Sequence, residues 1–215
     1  GDFVPMAEQI GLINQMGELV LHKACKYARE LEKIAGTISI SVNVAPRQLL
    51  QKDFIQIVET IINDIGFPAE LLVLEITESA IIGDMVLASE ILSGLKALGV
   101  LIALDDFGMG YSSFQYLQKF PVDIIKIDRV FIHDIEENIC NNSIVSAIIA
   151  MSKKMHIGIV AEGVETEAQF KYLYRLKCEE VQGYLTGKPM SQAQIQQLLE
   201  KQKASLNNLP IAINQ

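Results

Sequence analysis

Apolar residues recur along this chain with two different periods, and the switching between them lays out its elements. Over residues 5–35 they sit at helical spacing, with Ile10, Ile13, Val20, Ala24 and Leu31 among them, which predicts one long helix or two short ones. Residues 37–44 contain ISISVNV, β-branched and alternating, which predicts a strand. Pro46 opens a helical segment, residues 53–65 read as an amphipathic helix, and Gly66 and Pro68 stop it. Further strands are expected over 71–76, 101–105, 122–127, 157–161 and 179–181. Helices are expected between them over 84–98, 113–118, 142–155 and 167–176, with a last one over 191–203.

Strand and helix alternate six times, and the strands are nearly continuous apolar runs bounded by short loops. This is the pattern of a parallel sheet buried on both faces. An open doubly wound sheet and a TIM-type barrel both satisfy it. The strand ends separate them: Asn43, Glu75, Asp105 with Asp106, Lys126 with Asp128, Glu162 and Gln182 place a polar residue at the C-terminal end of every strand. In a barrel all these ends open on one face, so distant residues converge there, whereas an open sheet spreads them. The expected fold is therefore α/β, a TIM-type (β/α) barrel with six recognisable βα units.

The stretch VLIALDDFGMGYSS, residues 100–113, drives an apolar strand straight into two adjacent carboxylates. Successive strand residues face opposite ways, so Asp105 and Asp106 converge only where the strand ends and the backbone turns, a turn that Gly108 and Gly110 allow. Two carboxylates held together repel. That favours a raised pKa on one of them or a cation that neutralises both.

Bulk properties narrow the function classes. The chain has 215 residues, half of them hydrophobic, which suits one domain: residues 1–203 as the barrel and 204–215 as a polar C-terminal tail. A formal net charge of −8 argues against broad binding to a nucleic-acid polymer or direct contact with an anionic membrane. No apolar run approaches the ~20 residues of a membrane span. Cys25, Cys140 and Cys178 are odd in number and lack a CxxC spacing, so a reducing, cytoplasmic setting is expected, for the domain or for the cytoplasmic part of a membrane-attached parent. The chain opens at Gly1 without an initiator Met and leads directly into a helix, as a piece of a longer protein would.

Asn43, Glu75, Asp105, Asp106 and Glu162 offer only oxygen ligands, which suit Mg²⁺ or Mn²⁺ better than zinc. Their four carboxylates are enough to hold two ions, and such a pair can activate water and stabilise a leaving oxygen at phosphorus. Lys126 among them serves either as a structural ion pair or to orient or deprotonate a water, or to stabilise phosphate charge. Glu78, three residues past Glu75, is expected in a loop, as a helix cap. Gln182 precedes a glycine-containing loop whose amides can approach a ligand. His22, His133 and His156 show no ligand spacing.

The motifs FVPMAEQIGLI, SVNVAPRQL, LEITES, DDFGMGYSSF, VDIIKID, AEGVET and QGYLTGKP, in this order, resemble the EAL domain, the bacterial cyclic-di-GMP phosphodiesterase. The resemblance covers nearly the whole chain and implies a TIM-type barrel that uses Mg²⁺ or Mn²⁺ to open cyclic-di-GMP into linear pGpG. It implies Asn43, Glu75 and Asp105 as ligands of one metal, and Asp105, Asp106 and Glu162 as ligands of the second. Lys126 is then the residue that activates the water, with catalytic support from Glu162 and Gln182. Glu78 resembles the glutamate that anchors the loop after Asp106, a loop tied to dimerisation and control, while Asp128 and Glu165 match further supporting positions. Met109 stands where the family pattern has threonine. The resemblance also implies that the chain starts after the strand bearing the Glu-Ala-Leu signature and the strand that follows it, so two of eight strands and one metal ligand are expected to be missing. An edge-paired homodimer, a swapped assembly or a rearranged barrel follows, with weak or no hydrolysis by these 215 residues alone and an additional regulatory domain in the parent. Two other readings stay open: a module that senses cyclic-di-GMP without cleaving it, and an enolase-like barrel acting on carbanions.

Overall fold

The computed structural model describes residues 4–82, 84–109 and 114–207. Six strands form one sheet: β1 (Ile40–Asn43), β2 (Leu72–Thr77), β3 (Leu101–Phe107), β4 (Ile124–Ile127), β5 (Gly158–Ala161) and β6 (Glu180–Val181). They lie in chain order and every neighbouring pair is parallel. The sheet curves into a half-barrel. Among the described residues β1 and β6 each pair along one side only.

The helices are α1 (Val4–Gln9), α2 (Ile13–Ala35), α3 (Pro46–Leu49), α4 (Phe54–Ile65), α5 (Glu78–Ile82) and α6 (Met85–Ala97). They continue as α7 (Phe114–Lys119), α8 (Arg129–Ile132), α9 (Ile139–Met155), α10 (Glu167–Arg175) and α11 (Gln192–Asn207). Short polar side chains fix several starts. Asp84 Oδ1 accepts from Leu87 N at 3.1 Å, and Asn138 Oδ1 accepts from Cys140 N at 3.0 Å. Gly66, in the left-handed region, ends α4 as expected.

A two-residue alternation is hidden inside the apolar strands. Leu72, Leu74 and Ile76, Ile102 and Leu104, Ile125 and Ile127, and Ile159 and Ala161 are buried in the main hydrophobic core. Their neighbours Ser41, Val73, Glu75, Ala103, Lys126, Val160 and Gln182 line a cavity of about 380 Å³ on the other face of the sheet. The core thus fixes which strand residues are left for chemistry, because a one-residue slip would exchange the two sets.

Helices α5 and α8 were not expected from the pattern. α5 begins directly after β2 and α8 one residue after β4, and they span 5 and 4 residues, too short for a helical period to show. The first segment resolves into two helices, and α11 runs into the expected tail as far as Asn207. Residues 208–215 lie outside the described part. No helix among the described residues is long and apolar enough to cross a membrane.

Leu104, 1% exposed, precedes the paired aspartates and ties their strand to the core. Leu104→Ala is expected to lower unfolding free energy by about 2–5 kcal/mol in urea titrations. A loss under about 1 kcal/mol would show that this strand is held by other contacts.

Candidate active site

The paired aspartates sit inside a strand that does not stop at them. β3 continues to Phe107, where an ending near Asp105 was expected. Between Leu104 and Phe107 on β3, which face Ile125 and Ile127 on β4, one extra residue is inserted. This is a β-bulge, and Asp106 takes the strain of it at φ +54°. The bulge re-aims one side chain, so adjacent residues share a face without ending the strand. Gly108 also has positive φ and follows the bulge, while Gly110 lies outside the described residues.

Lys126, on β4, is buried at 4% exposure. Its Nζ lies 2.8 Å from Glu75 Oε2, 2.6 Å from Glu162 Oε1 and 3.2 Å from Asp105 Oδ1. Burial by itself would push the ammonium pKa down. Hydrogen bonds to Glu162 and Glu75, with their charges, outweigh burial and raise it, so Lys126 stays charged. Groups from β2, β3 and the end of β5 are thereby tied to β4 through one cation.

Asp105, Asp106 and Glu162 bring carboxylate oxygens within 4.8 Å of one another. Asp105 Oδ1 is buried and lacks a hydrogen-bond donor, its contact with Lys126 being an ion pair only. Burial, then repulsion from Asp105 and contact with Asp128, raise the Asp106 carboxyl pKa. Burial also raises Glu162, against the pull of Lys126. A buried acceptor without a donor and two carboxyls whose charge is disfavoured are what a hard dication corrects, so the residues fit a divalent cation.

The other expected residues take varied places. Asn43 is exposed at the end of edge strand β1, in register with Glu75. Gln182, just past β6, lines the same cavity as Glu75 and Lys126, and its backbone N donates to Ala161 O at 2.8 Å. Glu78 opens α5 where a loop was expected, is 5% exposed, and accepts from Gly108 N at 3.1 Å, joining α5 to the end of β3. Asp128 caps α8 through Val130 N at 2.7 Å while touching Asp106. Glu165 is exposed on the loop after β5. Sequence reasoning missed Gln169, which is buried and forms a capping box with Thr166 at the start of α10. The spacing Thr-x-x-Gln before an apolar position was the available signal.

A parallel α/β half-barrel carrying an acidic, metal-competent cluster at the C-terminal ends of its strands defines a TIM-type barrel domain. The chain belongs to the EAL domain family, whose model matches residues 1–189. It is 36% identical over 202 residues to the signaling protein YkoW of Bacillus subtilis, covering 94% of this chain and 25% of the relative. It is 41% identical over 196 residues to MucR of Pseudomonas aeruginosa, a bifunctional diguanylate cyclase/cyclic di-GMP phosphodiesterase, covering 91% of this chain and 29% of that protein. The chain thus spans about a quarter of the length of the curated relatives it matches. Among solved structures, the MucR phosphodiesterase in complex with c-di-GMP superposes with a TM-score of 0.86 at 41% identity, covering 91% of this chain and 79% of that one. The EAL domain of Mycobacterium smegmatis DcpA gives 0.82 at 38% identity, covering 88% and 86%.

Replacing Lys126 by Met leaves the buried Glu75 and half-buried Glu162 without their counter-charge. Lys126→Met is expected to cost about 3–5 kcal/mol of stability at pH 7. Burial already raises Glu162 against the pull of Lys126, and removing that pull raises it further, so part of the loss should return as pH falls through the acid range. Thermal unfolding at pH 7 and pH 5 checks both; a loss that is equal at the two values would contradict the ion-pair account.

Proposed function

We propose that this domain hydrolyses a phosphodiester bond of cyclic-di-GMP, giving linear pGpG, with Mg²⁺ or Mn²⁺ bound. The convergence of Asp105, Asp106 and Glu162 around a buried ammonium is the observation that carries this reading. Family membership supports the substrate, since MucR and NbdA of Pseudomonas aeruginosa bear the name of cyclic di-GMP phosphodiesterases.

Asp105, Asp106 and Glu162 would hold one ion, and Asn43, Glu75 and Asp105 another, with Asp105 common to both. When bound, such ions polarise the phosphoryl oxygen and lower the pKa of water. Lys126 keeps its proton in this environment, which supports an orienting and charge-balancing role over that of a base. It holds Glu75 and Glu162 in place and leaves a positive site beside the phosphate. Asp128 fixes the Asp106 carboxyl, and Gln182 adds a polar group on the same cavity wall. Among the described residues β1 and β6 are open on one side, which supports pairing with further strands, from the parent chain or a second copy. With those sides open, slow turnover by the 215 residues alone is expected.

The test is Mg²⁺- or Mn²⁺-dependent conversion of cyclic-di-GMP to pGpG by the full-length protein. Asp105→Ala and Lys126→Ala should each lower kcat by roughly 100-fold or more. Full activity in both variants would overturn the site, and tight binding with no turnover by the wild type would point to a sensor module.

A further inference from the structure

The outer face of α10 is basic and aromatic on an acidic chain. Residues 151–156 and 170–177 hold five of the 18 lysines and arginines and no aspartate or glutamate, although the chain has 26 acidic residues in all. The two stretches meet in space: Lys153 Nζ, near the end of α9, donates at 2.8 Å to Leu176 O, just past the end of α10. Lys154, Lys171, Arg175 and Lys177 are exposed, and among the described residues none of them forms an ion pair. Of the flanking acids, Glu167 sits in the first turn of α10, Glu179 Oε2 accepts from Ile159 N at 3.4 Å, and Glu180 lines the cavity inside the sheet.

Aromatic rings stand among these cations. Phe170 and Tyr174, one helical turn apart, are stacked with ring centroids 6.4 Å apart, and Tyr174 is 74% exposed. The face is held rigid from behind. Leu173 is buried in the core, Thr166 and Gln169 close a capping box at the start of α10, and Lys153 pins its end. Positive charge at a helix C-terminus offsets the dipole, a role that Lys153 and Arg175 fill. It accounts neither for Lys171 in mid-helix nor for the two exposed rings beside it.

Exposed Tyr, Phe and Arg on a preorganised helix are the residues from which protein interfaces draw their anchors. The unpaired cations set the partner's sign as negative. The extent of the patch sets its size: the nine residues of α10 span about 13 Å, and the rest of a chain with net charge −8 repels a polyanion or an anionic bilayer that runs beyond them. A protein segment can instead confine its carboxylates to the patch. α9 leads into β5 at Gly158 and α10 into β6 at Glu180, so the ends of both helices lie by the N-terminal ends of the strands, opposite the carboxylate cluster. A partner seated there leaves the catalytic mouth open.

We propose that this face docks an acidic protein segment, with the segment's carboxylates on Lys154, Lys171, Arg175 and Lys177 and its aromatic or aliphatic anchors on Phe170 and Tyr174. The probe is a fluorescein-labelled, glutamate-rich peptide with two phenylalanines one helical turn apart, titrated at low salt into the full-length protein and followed by fluorescence anisotropy. The same peptide with alanines in place of the phenylalanines, an oligouridylate of equal charge and phosphatidylglycerol vesicles are titrated alongside. The double variant Lys171→Glu, Arg175→Glu and the single variant Tyr174→Ala, checked for folding by circular dichroism, should each weaken the phenylalanine peptide by roughly tenfold or more. The alanine peptide should bind the wild type roughly tenfold more weakly than the phenylalanine peptide. No peptide binding by the wild type, equal binding of the two peptides, or an affinity unchanged in the folded variants overturns the docking surface. Tighter binding of the oligonucleotide or the vesicles, lost in the same variants, assigns the face to those partners and overturns it as well.

Discussion

Everything in this site depends on one buried ammonium. Lys126 draws Glu75 from β2, Asp105 from β3 and Glu162 from the end of β5 around a single charge, so the strands' C-terminal ends are fixed relative to each other by electrostatics as well as by the ladder. The like-charged carboxylates would otherwise push apart in a poorly solvated place. Removing either sign leaves the other uncompensated, so stability and chemistry are expected to weaken together.

The second constraint is geometric. A regular strand cannot present two consecutive side chains to one site, and the bulge at Asp106 resolves this with a single left-handed residue. The continuous apolar core on the opposite face makes the bulge tolerable, because Leu104 and Phe107 remain buried on either side of it. Glu78 adds a brace from α5 to Gly108, immediately after the distortion.

Much of this was legible in the sequence, for reasons that individual residues make clear. The polar strand ends stood out because Glu75, Asp105, Lys126 and Glu162 each interrupt a β-branched or leucine-rich run. Parallel order followed from the alternating helices. The bulge was not legible: an ending strand and a bulged one both explain Asp105 and Asp106, and only the register between β3 and β4 separates them. The α5 position of Glu78 was hidden by the shortness of that helix, and the reach of Gln169 to Ile132 and His133 joins residues 37 and 36 positions apart, which no local pattern encodes. The electrostatic state of Lys126 likewise depends on partners brought in from three other strands' ends.

The central claim is that these carboxylates form a metal centre. Anomalous diffraction at the manganese edge, from crystals of the full-length protein grown with Mn²⁺, addresses it directly. The account predicts anomalous density bounded by Asp105, Asp106 and Glu162, lost in Asp105→Asn. Ordered, solvent-accessible carboxylates with no anomalous density among them at saturating Mn²⁺ would contradict it.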